Sequence, residues 1–350
     1  MVFISLFFFL SLSALLDIYF NRNSFVYLSV IVLAFVAGLR SLGTGFDTYN
    51  YYYDYINVLN GLSPNNSKEI GFVLIEKALA AFNAPTWVLF TFIAFFTLII
   101  LAYGYSKLSC YSGLAILYYY SRFYISRDLN QIRASLAAAI LLCSLNYIIK
   151  HSFWKFTLVV VIASLIHSAA VIGILLYPAY LICTKVKKSK IVTLYIVILI
   201  VSGFMSYKIS PLIESLNINR LDAYTTSNFY TIGSGLQNPV IWLQVVISIV
   251  ALLLYENEKN ILNEKYNVVL ITYMISTILL ILFSQYYTLA GRMSTFFATV
   301  EPIVLLNILQ RLKINKGLSK YVFIAIALVV FFVINYSTGL ISKINYSFIL

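Results

Sequence analysis

Long apolar runs separated by short polar segments dominate the chain. Most runs are roughly 15 to 25 residues long, and apolar residues do not alternate with polar ones, which excludes a transmembrane β-barrel. A run of about 20 apolar residues crosses a bilayer as one α-helix. The runs cover residues 2–20, 24–39, 85–105, 111–121, 129–149, 153–184, 191–207, 239–255, 266–284, 290–309 and 321–341.

Composition excludes a soluble fold. Hydrophobic residues fill 61% of the 350 positions and charged residues only 10%, against about 25% in a soluble domain. We predict an all-α, polytopic integral membrane protein with about ten to twelve transmembrane helices. Within 153–184 we expect two short helices, a broken or re-entrant pair that meets near His167.

The lysines set the predicted orientation, because basic residues in short loops stay on the cytoplasmic side. Placing 12 of the 16 lysines inside leaves two polar segments, residues 40–84 and 208–238, as outer loops. The first ends in a weakly amphipathic segment, 70–82, that we interpret as an interfacial helix. Residues 1–350 otherwise form a single predicted membrane domain.

The arginines have the opposite distribution. Six of the eight fall at or near the predicted outer ends of helices, where cytoplasmic retention does not explain them. A guanidinium is a planar, permanently charged fork that binds phosphate or carboxylate with two hydrogen bonds. We therefore infer an outward-facing anion site. The six are Arg40, Arg122, Arg127, Arg133, Arg220 and Arg292.

Residues 38–55 combine glycines, tyrosines and charges. Three glycines within eight residues let backbone amides approach an anion, and tyrosine rings stack on sugars. An aromatic belt around an interfacial turn is the alternative, but a belt explains neither the arginine nor the aspartate. The candidate residues here are Arg40, Asp47, Tyr49, Tyr51 and Tyr52.

A second charged group lies at the outer start of the helix that continues through residues 134–139. A helix N-terminus favours phosphate through its free N–H groups and dipole, and added arginines strengthen such a site. Arginines that snorkel to lipid headgroups are the alternative, which fits Arg133, about one turn inside, least well. The group consists of Arg122, Arg127, Asp128, Asn130 and Arg133.

Other polar residues are candidates singly. His167 lies among small residues in an apolar run, and intramembrane ionisable groups are functional suspects, although an interhelical hydrogen bond is an equal alternative. Glu69 and Asp47 are outer carboxylates suited to general-base chemistry. Arg292 is a further expected anion ligand. Arg220 lies in the second outer loop, where sugar contact and simple solvation are both open.

The residues predict no metal, cofactor or nucleic-acid partner. The two histidines are far apart, no acidic pair has metal-ligand spacing, and the nucleotide-loop pattern GxxxxGKS or GxxxxGKT is absent. The net charge of +12 is spread over many short loops. The substrate should therefore already carry its own activation.

Several short motifs occur in a characteristic order. They are Gly38-Leu39-Arg40, Gly45-Phe46-Asp47, Glu69-Ile70-Gly71-Phe72, Asn130-Gln131-Ile132-Arg133, Ala163 to Ala169 around His167, and Gly291-Arg292. From about residue 30 to about residue 310, this order resembles the EpsG family of Wzy-type polysaccharide polymerases. Family members commonly show Gly-Thr-Asp where this chain has Gly45-Phe46-Asp47.

The resemblance implies a metal-independent glycosyltransferase of O-antigen, capsule or exopolysaccharide biosynthesis. It implies a multi-pass protein of the cytoplasmic (inner) membrane, with its active site facing the periplasm or exterior. The enzyme would move a glycan from undecaprenyl pyrophosphate onto the next lipid-linked repeat unit. Undecaprenyl-pyrophosphate-linked oligosaccharides, membrane lipids and a chain-length regulator are the implied partners.

The resemblance also implies roles for the candidate residues. Arginines would hold the diphosphate, a carboxylate or histidine would act as the base, and tyrosines would orient sugars. The implied diphosphate ligands are Arg40, Arg127, Arg133 and Arg292, and the candidate bases are Asp47, Glu69 and His167.

Three other functions are alternatives. A polysaccharide flippase or transporter needs polar residues along both halves of several helices, whereas most predicted helices here are apolar in their middle and inner portions. An O-antigen ligase would use the same anion site and stays open. A structural subunit of a polysaccharide complex would not account for the arginine distribution.

Overall fold

The computed structural model of the protein describes residues 2–63, 68–109, 111–209, 235–256, 261–312 and 314–349. Within these ranges the chain is almost entirely helical, and its one β-bridge joins Arg40 to Phe348. The all-α prediction is confirmed. The α-helices in chain order are α1 (Val2–Phe20), α2 (Ser24–Gly38), α3 (Thr48–Leu59), α4 (Ile70–Ala80), α5 (Thr86–Leu108), α6 (Ser112–Tyr119), α7 (Ile125–Arg127), α8 (Ile132–Ile149), α9 (Phe153–Ile166), α10 (Leu176–Lys185), α11 (Lys188–Ser206), α12 (Pro239–Leu253), α13 (Ile261–Leu282), α14 (Tyr287–Ala298), α15 (Glu301–Arg311), α16 (Lys316–Phe331) and α17 (Leu340–Ile344).

The helices have the lengths that a multi-pass membrane protein requires. Among the described residues, 7 helices are long and apolar enough to cross a bilayer, or up to 8 if a bent pair counts as one span. Three shorter apolar helices, α2, α9 and α12, accompany them. At 1.5 Å per residue a helix of about 15 residues reaches only about 22 Å. The prediction of about ten to twelve transmembrane helices thus compares with 7 or up to 8 candidate spans and three shorter apolar helices in the described residues.

The helical path is broken at two places. α9 ends at Ile166, and a 3-10 segment, Ser168–Leu175, leads from His167 into α10, so the predicted break near His167 is present. A second break, between Thr288–Ala298 and Glu301–Arg311, bends the chain by 51°. Pro302 in the first turn of α15 has no backbone N–H to continue the preceding helix, which accounts for that bend.

The described chain forms two compact units. The first consists of residues 1–146, 154–171 and 312–350, and the second consists of residues 147–153 and 172–311. In the first unit, α2 packs along α5, and α1 packs against α2 and α6. In the second unit, α13 packs against α11, α12 and α14, and Tyr195 donates a hydrogen bond to Ser248 at 2.7 Å.

A π-helical segment, Tyr120–Tyr124, connects α6 to α7 and fixes this part of the first unit. The Tyr120 and Tyr124 hydroxyls each donate to a backbone carbonyl, those of Phe3 in α1 and Leu33 in α2, both at 2.6 Å. A widened helical turn displaces backbone groups from the α-helical pattern. The amide of Asn335 donates to the Ser121 carbonyl at 2.8 Å, so that carbonyl is satisfied inside the bundle.

Residues 344–349 pair with the loop that follows α2. Ser41 N–H donates to the Ser347 carbonyl at 2.7 Å, and Ile349 N–H donates to the Leu39 carbonyl at 2.8 Å. Gly45 N–H also donates to the Ile344 carbonyl at 3.0 Å. These backbone hydrogen bonds hold the loop that carries Arg40 in a defined conformation.

Candidate active site

Glu69 is the centre of a polar cluster in the first unit. It is the residue before α4, and its carboxylate makes no capping bond to that helix. Its Oε2 accepts a hydrogen bond from Arg133 Nη1 at 2.7 Å. Its Oε1 accepts from the Ser168 N–H at 3.1 Å and the Ser168 hydroxyl at 2.9 Å, and lies 3.3 Å from His167 Nδ1. With Tyr51, these residues form what we name the accessible cluster.

A close approach of two helices brings the cluster together. A Cβ atom on Gly71 would lie 2.7 Å from the Leu165 carbonyl oxygen, a distance that no real side chain tolerates. Gly71 therefore lets α4 touch α9 backbone to backbone. Because Glu69 lies two residues before Gly71, and His167 two residues after Leu165, this contact places the carboxylate beside the imidazole.

Arg133 lies in the first turn of α8 and faces aromatic rings. Its Nε donates to the Tyr51 hydroxyl at 3.4 Å, and its guanidinium carbon lies 5.7 Å from the Tyr51 ring centre and 5.8 Å from the Phe72 ring centre. The side chain is 23% exposed, that of His167 18% and that of Glu69 10%. The cluster is thus open to the surface of the protein.

Charge and hydrogen bonding keep Glu69 ionised. Burial alone would raise the pKa of Glu69, but hydrogen bonds from His167 and the Ser168 N–H, together with the Arg133 charge, hold that pKa well below the usual range. A carboxylate in this state is a poor proton acceptor at neutral pH. It can instead orient the guanidinium and the imidazole that it contacts.

A second ion pair adjoins the accessible cluster, and sequence reasoning missed it. Lys68 Nζ lies 2.6 Å from Glu76 Oε1 and 3.2 Å from Asp54 Oδ2. The ammonium also lies 5.4 Å from the Phe72 ring centre. The adjacent opposite charges of Lys68 and Glu69 at the start of a predicted helix were the available signal.

Arg40, by contrast, is completely buried. Its exposed fraction is 0%, and its guanidinium carbon lies 4.0 Å from the centre of the Phe90 ring. Its Nε donates to the Thr48 hydroxyl at 3.2 Å, and its Nη1 donates to the Ala37 carbonyl. Within the described residues its Nη2 has no acceptor. The Arg40 guanidinium is therefore enclosed by protein groups and does not reach the surface in this structure.

Asp128 is a second buried charge in the same unit. Its two oxygens accept from the Tyr119 hydroxyl at 2.7 Å and the Ser135 hydroxyl at 3.2 Å. Burial raises the pKa of Asp128 to about 6, against the effect of those hydrogen bonds and of the Arg127 charge. We name Arg40, Tyr119, Arg127, Asp128 and Ser135 the buried cluster. Arg122 and Arg127 are also buried, and both guanidinium groups lie near the Phe123 ring.

The loop before α3 docks onto the chain between α7 and α8. Gly45 has a φ of +79°, and a Cβ there would lie 2.5 Å from the Leu129 carbonyl oxygen, so glycine is required. The Asp47 N–H donates to Asn130 Oδ1 at 2.9 Å. This contact joins the predicted motifs Gly45-Phe46-Asp47 and Asn130-Gln131-Ile132-Arg133, and it fixes the backbone that leads into α8 and Arg133.

The predicted tyrosines have three different environments. Tyr51 is buried in the accessible cluster, whereas Tyr49 is exposed and stacks on Tyr53 at 6.3 Å. Tyr52 lines a groove of about 530 Å³ in the first unit. The groove is mainly apolar, and its other lining residues include Trp87, Phe90 and Phe348.

Two predicted arginines are not part of the first unit's described residues. Arg292 is half-buried in α14 of the second unit. Arg220 lies outside the described residues, as does most of the predicted outer loop 208–238. In the described part of the chain, no group of three or more His, Cys, Asp or Glu residues has the arrangement of a metal site.

The fold and the site define a polytopic α-helical membrane protein with a charged cluster at the ends of its helices. The sequence profile of the EpsG family matches residues 23–348, so the chain belongs to the EpsG family. It is similar to the amylovoran biosynthesis protein AmsC of Erwinia amylovora, with 24% identity over 309 residues, 83% of this chain and 80% of that protein. No solved structure is significantly similar to the chain. The resemblance stated from the motifs is confirmed.

Proposed function

We propose that the protein is a polysaccharide polymerase that joins lipid-linked repeat units. The single observation that carries this proposal is the accessible cluster, in which Arg133 and His167 share one carboxylate. Family membership and the similarity to AmsC support the same proposal. The reaction is the transfer of a glycan from a polyprenyl diphosphate to a hydroxyl group of the next repeat unit.

Arg133 is the best placed of the arginines to assist the leaving group. When the glycosidic bond breaks, negative charge develops on the diphosphate, and a pre-positioned guanidinium stabilises that charge. Arg133 is partly exposed, so a lipid-linked diphosphate in the outer leaflet can reach it. The buried Arg40 and Arg127 would support the site from behind, and Arg292 stays a candidate ligand.

The orientation belongs to the same proposal. With most lysines on the cytoplasmic side, residues 40–84 and the accessible cluster face the exterior or periplasm. Undecaprenyl-pyrophosphate-linked oligosaccharides would enter from the outer leaflet of the cytoplasmic membrane. A separate chain-length regulator would act as a partner.

The test is a surface-polysaccharide gel on a deletion strain, complemented with wild-type protein, Arg133→Ala or Arg22→Ala at equal amounts. Arg22 is an exposed arginine of the same unit that lies outside the cluster, so it controls for loss of a positive charge. We expect deletion and Arg133→Ala to reduce the ladder to single repeat units, and Arg22→Ala to restore it.

Other outcomes would point to other functions. If deletion removes even single units from the surface, export or ligation becomes the better assignment. A full ladder with Arg133→Ala would exclude Arg133 from the site. The first result would contradict the proposed reaction. The second would contradict only the role given to Arg133.

A further inference from the structure

We propose that His167 is the general base of the transfer reaction and that Glu69 positions it. The inference rests on the proposed polymerase function and assigns one base where the sequence left three candidates. It is carried by the contact between His167 Nδ1 and Glu69 Oε1 at 3.3 Å, in a cluster whose side chains are partly exposed at the protein surface. His167 would touch the substrate, and Glu69 would act through it.

The carboxylate determines which ring nitrogen carries the proton. An ionised carboxylate only accepts hydrogen bonds, so His167 Nδ1 must be the donor in this contact. In a neutral imidazole with a proton on Nδ1, the other nitrogen, Nε2, holds the lone pair. The carboxylate also stabilises the imidazolium that forms when Nε2 takes up a proton.

Glu69 is itself poorly suited to accept the proton. Its two oxygens already accept from Arg133 and from both donors of Ser168, as well as from the imidazole. Removing these interactions to protonate the carboxylate would cost free energy, which agrees with the low pKa of this group. Asp47, the third candidate, belongs to the docked loop and is not one of the residues that define the accessible cluster.

The same carboxylate holds the base and the cation on different oxygens. Oε1 faces His167, and Oε2 faces Arg133. Within the accessible cluster, Glu69 contacts His167 directly, and Arg133 binds the same carboxylate. This arrangement holds a proton acceptor and an anion-binding group on one carboxylate, and the anomeric carbon would lie between them, because the attacking oxygen and the leaving diphosphate take opposite faces of that carbon.

The chemical step is balanced without any further reactant. The acceptor hydroxyl gives its proton to His167 Nε2 while its oxygen forms a bond to the anomeric carbon of the donor glycan. The bond from that carbon to the diphosphate oxygen breaks, and its electron pair leaves with the diphosphate beside Arg133. The imidazolium afterwards releases its proton to water.

The experiment uses the full-length protein in lipid vesicles, with polyprenyl-diphosphate-linked repeat units as substrate. We expect His167→Ala to lower kcat by about 10²- to 10⁴-fold, the range typical of general bases, with KM changed by less than about threefold. Added imidazole should restore kcat of this variant at least about tenfold, because it replaces the missing base and not a missing structural contact.

The control is the other histidine of the chain. His151 is exposed and has a φ of 49°, a conformation that asparagine tolerates well, so His151→Asn is the suitable change. We expect it to retain kcat and to gain nothing from imidazole. If wild-type protein makes no polymer, the proposed function fails. If wild-type protein polymerises while His167→Ala keeps its kcat or does not respond to imidazole, only the assignment of the base fails.

A spectroscopic measurement keeps the inference testable even if His167→Ala does not fold. ¹⁵N NMR of histidine-labelled protein distinguishes the two neutral tautomers, and His151→Asn assigns the signals. We expect His167 to carry its proton on Nδ1 in the wild type and to lose this preference in Glu69→Gln. A proton on Nε2 in the wild type would overturn the inference.

Discussion

Two arginine-containing clusters lie in the first unit of this protein, and they differ in access to solvent. In the accessible cluster, Arg133 is 23% exposed and pairs with Glu69 beside His167. In the buried cluster, Arg40 is 0% exposed and stacks on Phe90, while Asp128 is enclosed by hydroxyl groups. The same residue type is therefore partly exposed in one place and enclosed by the fold in the other.

The buried cluster contacts the helix that carries Arg133 of the accessible cluster. Asp128 accepts a hydrogen bond from Ser135, one turn into α8, and the docked loop contacts Asn130 just before that helix. The buried cluster thus holds the start of α8, which carries Arg133. A guanidinium kept at a fixed position loses little entropy when it binds an anion.

The largest expected difference separates Arg40→Ala from Arg133→Ala. Removing Arg40 leaves a cavity against Phe90 and breaks buried hydrogen bonds, which should lower the free energy of unfolding by on the order of 3 kcal/mol. We expect little folded Arg40→Ala protein in membranes. Arg133→Ala should be present at near wild-type amounts, but its polymerisation rate should fall about 10²-fold or more.

Fluorescence-detected size-exclusion chromatography of detergent extracts measures the first effect, and the rate per mole of folded protein measures the second. A well-folded but inactive Arg40→Ala variant would contradict the structural role of Arg40, because Arg40 would then take part in the reaction.

The next effect concerns the glycine that joins α4 to α9. Gly71→Ala should push the two helices apart, because the new Cβ would meet the Leu165 carbonyl oxygen at 2.7 Å. We expect a loss of about 1 to 3 kcal/mol in stability and a polymerisation rate lowered more than Arg22→Ala lowers it. Gly43→Ala is the matched control, since nothing lies within 4 Å of a Cβ there. Equal rates for the two glycine variants would contradict the proposed role of this contact.

The smallest expected effect is an opposite pH dependence of stability in the two clusters. The folded pKa of Glu69 is lowered, so its contribution to stability is present above its unfolded value near 4.5 and is lost as the pH falls. The folded pKa of Asp128 is raised to about 6, so its contribution is present below its unfolded value near 3.8 and is lost as the pH rises through 6.

Melting temperatures of wild type, Glu69→Gln and Asp128→Asn between pH 4 and pH 7 give the measurement. The Tm advantage of wild type over Glu69→Gln should shrink as the pH falls. The Tm of Asp128→Asn relative to wild type should increase as the pH rises, by roughly 2 °C or more. Parallel curves for all three proteins would remove the electrostatic distinction between the clusters.

The apolar runs predicted most helices because a span requires a continuous apolar segment of known length. The break at His167 also followed from the sequence, since the run around it was too long for one helix and its lysines placed both ends on one side. α2 and α9 fall within predicted runs, but at 15 and 14 residues they are shorter than the roughly 20 residues that cross a bilayer.

The sequence predicted candidate residue types for the site, but it did not predict how they are arranged. Glu69 is 64 residues from Arg133 and 98 from His167, and no local pattern encodes which of its oxygens each one contacts. From the sequence, Glu69 was a candidate base. The hydrogen bonds from Ser168 that occupy its carboxylate depend on how α4 packs against α9, and the sequence alone does not show that packing. Likewise, the burial of Arg40 depends on Phe90 in α5.

The pairing of residues 39–45 with residues 344–349 joins a segment that is synthesised early to one that is synthesised much later. Ser41 and Ser347 share a hydrogen bond across 306 positions of the chain. At about 5 to 20 residues per second, a ribosome takes roughly 15 to 60 s to cover that distance. Throughout this interval the loop that carries Arg40 lacks its partner segment, so the first unit can complete its backbone pairing only after residues 344–349 have been synthesised.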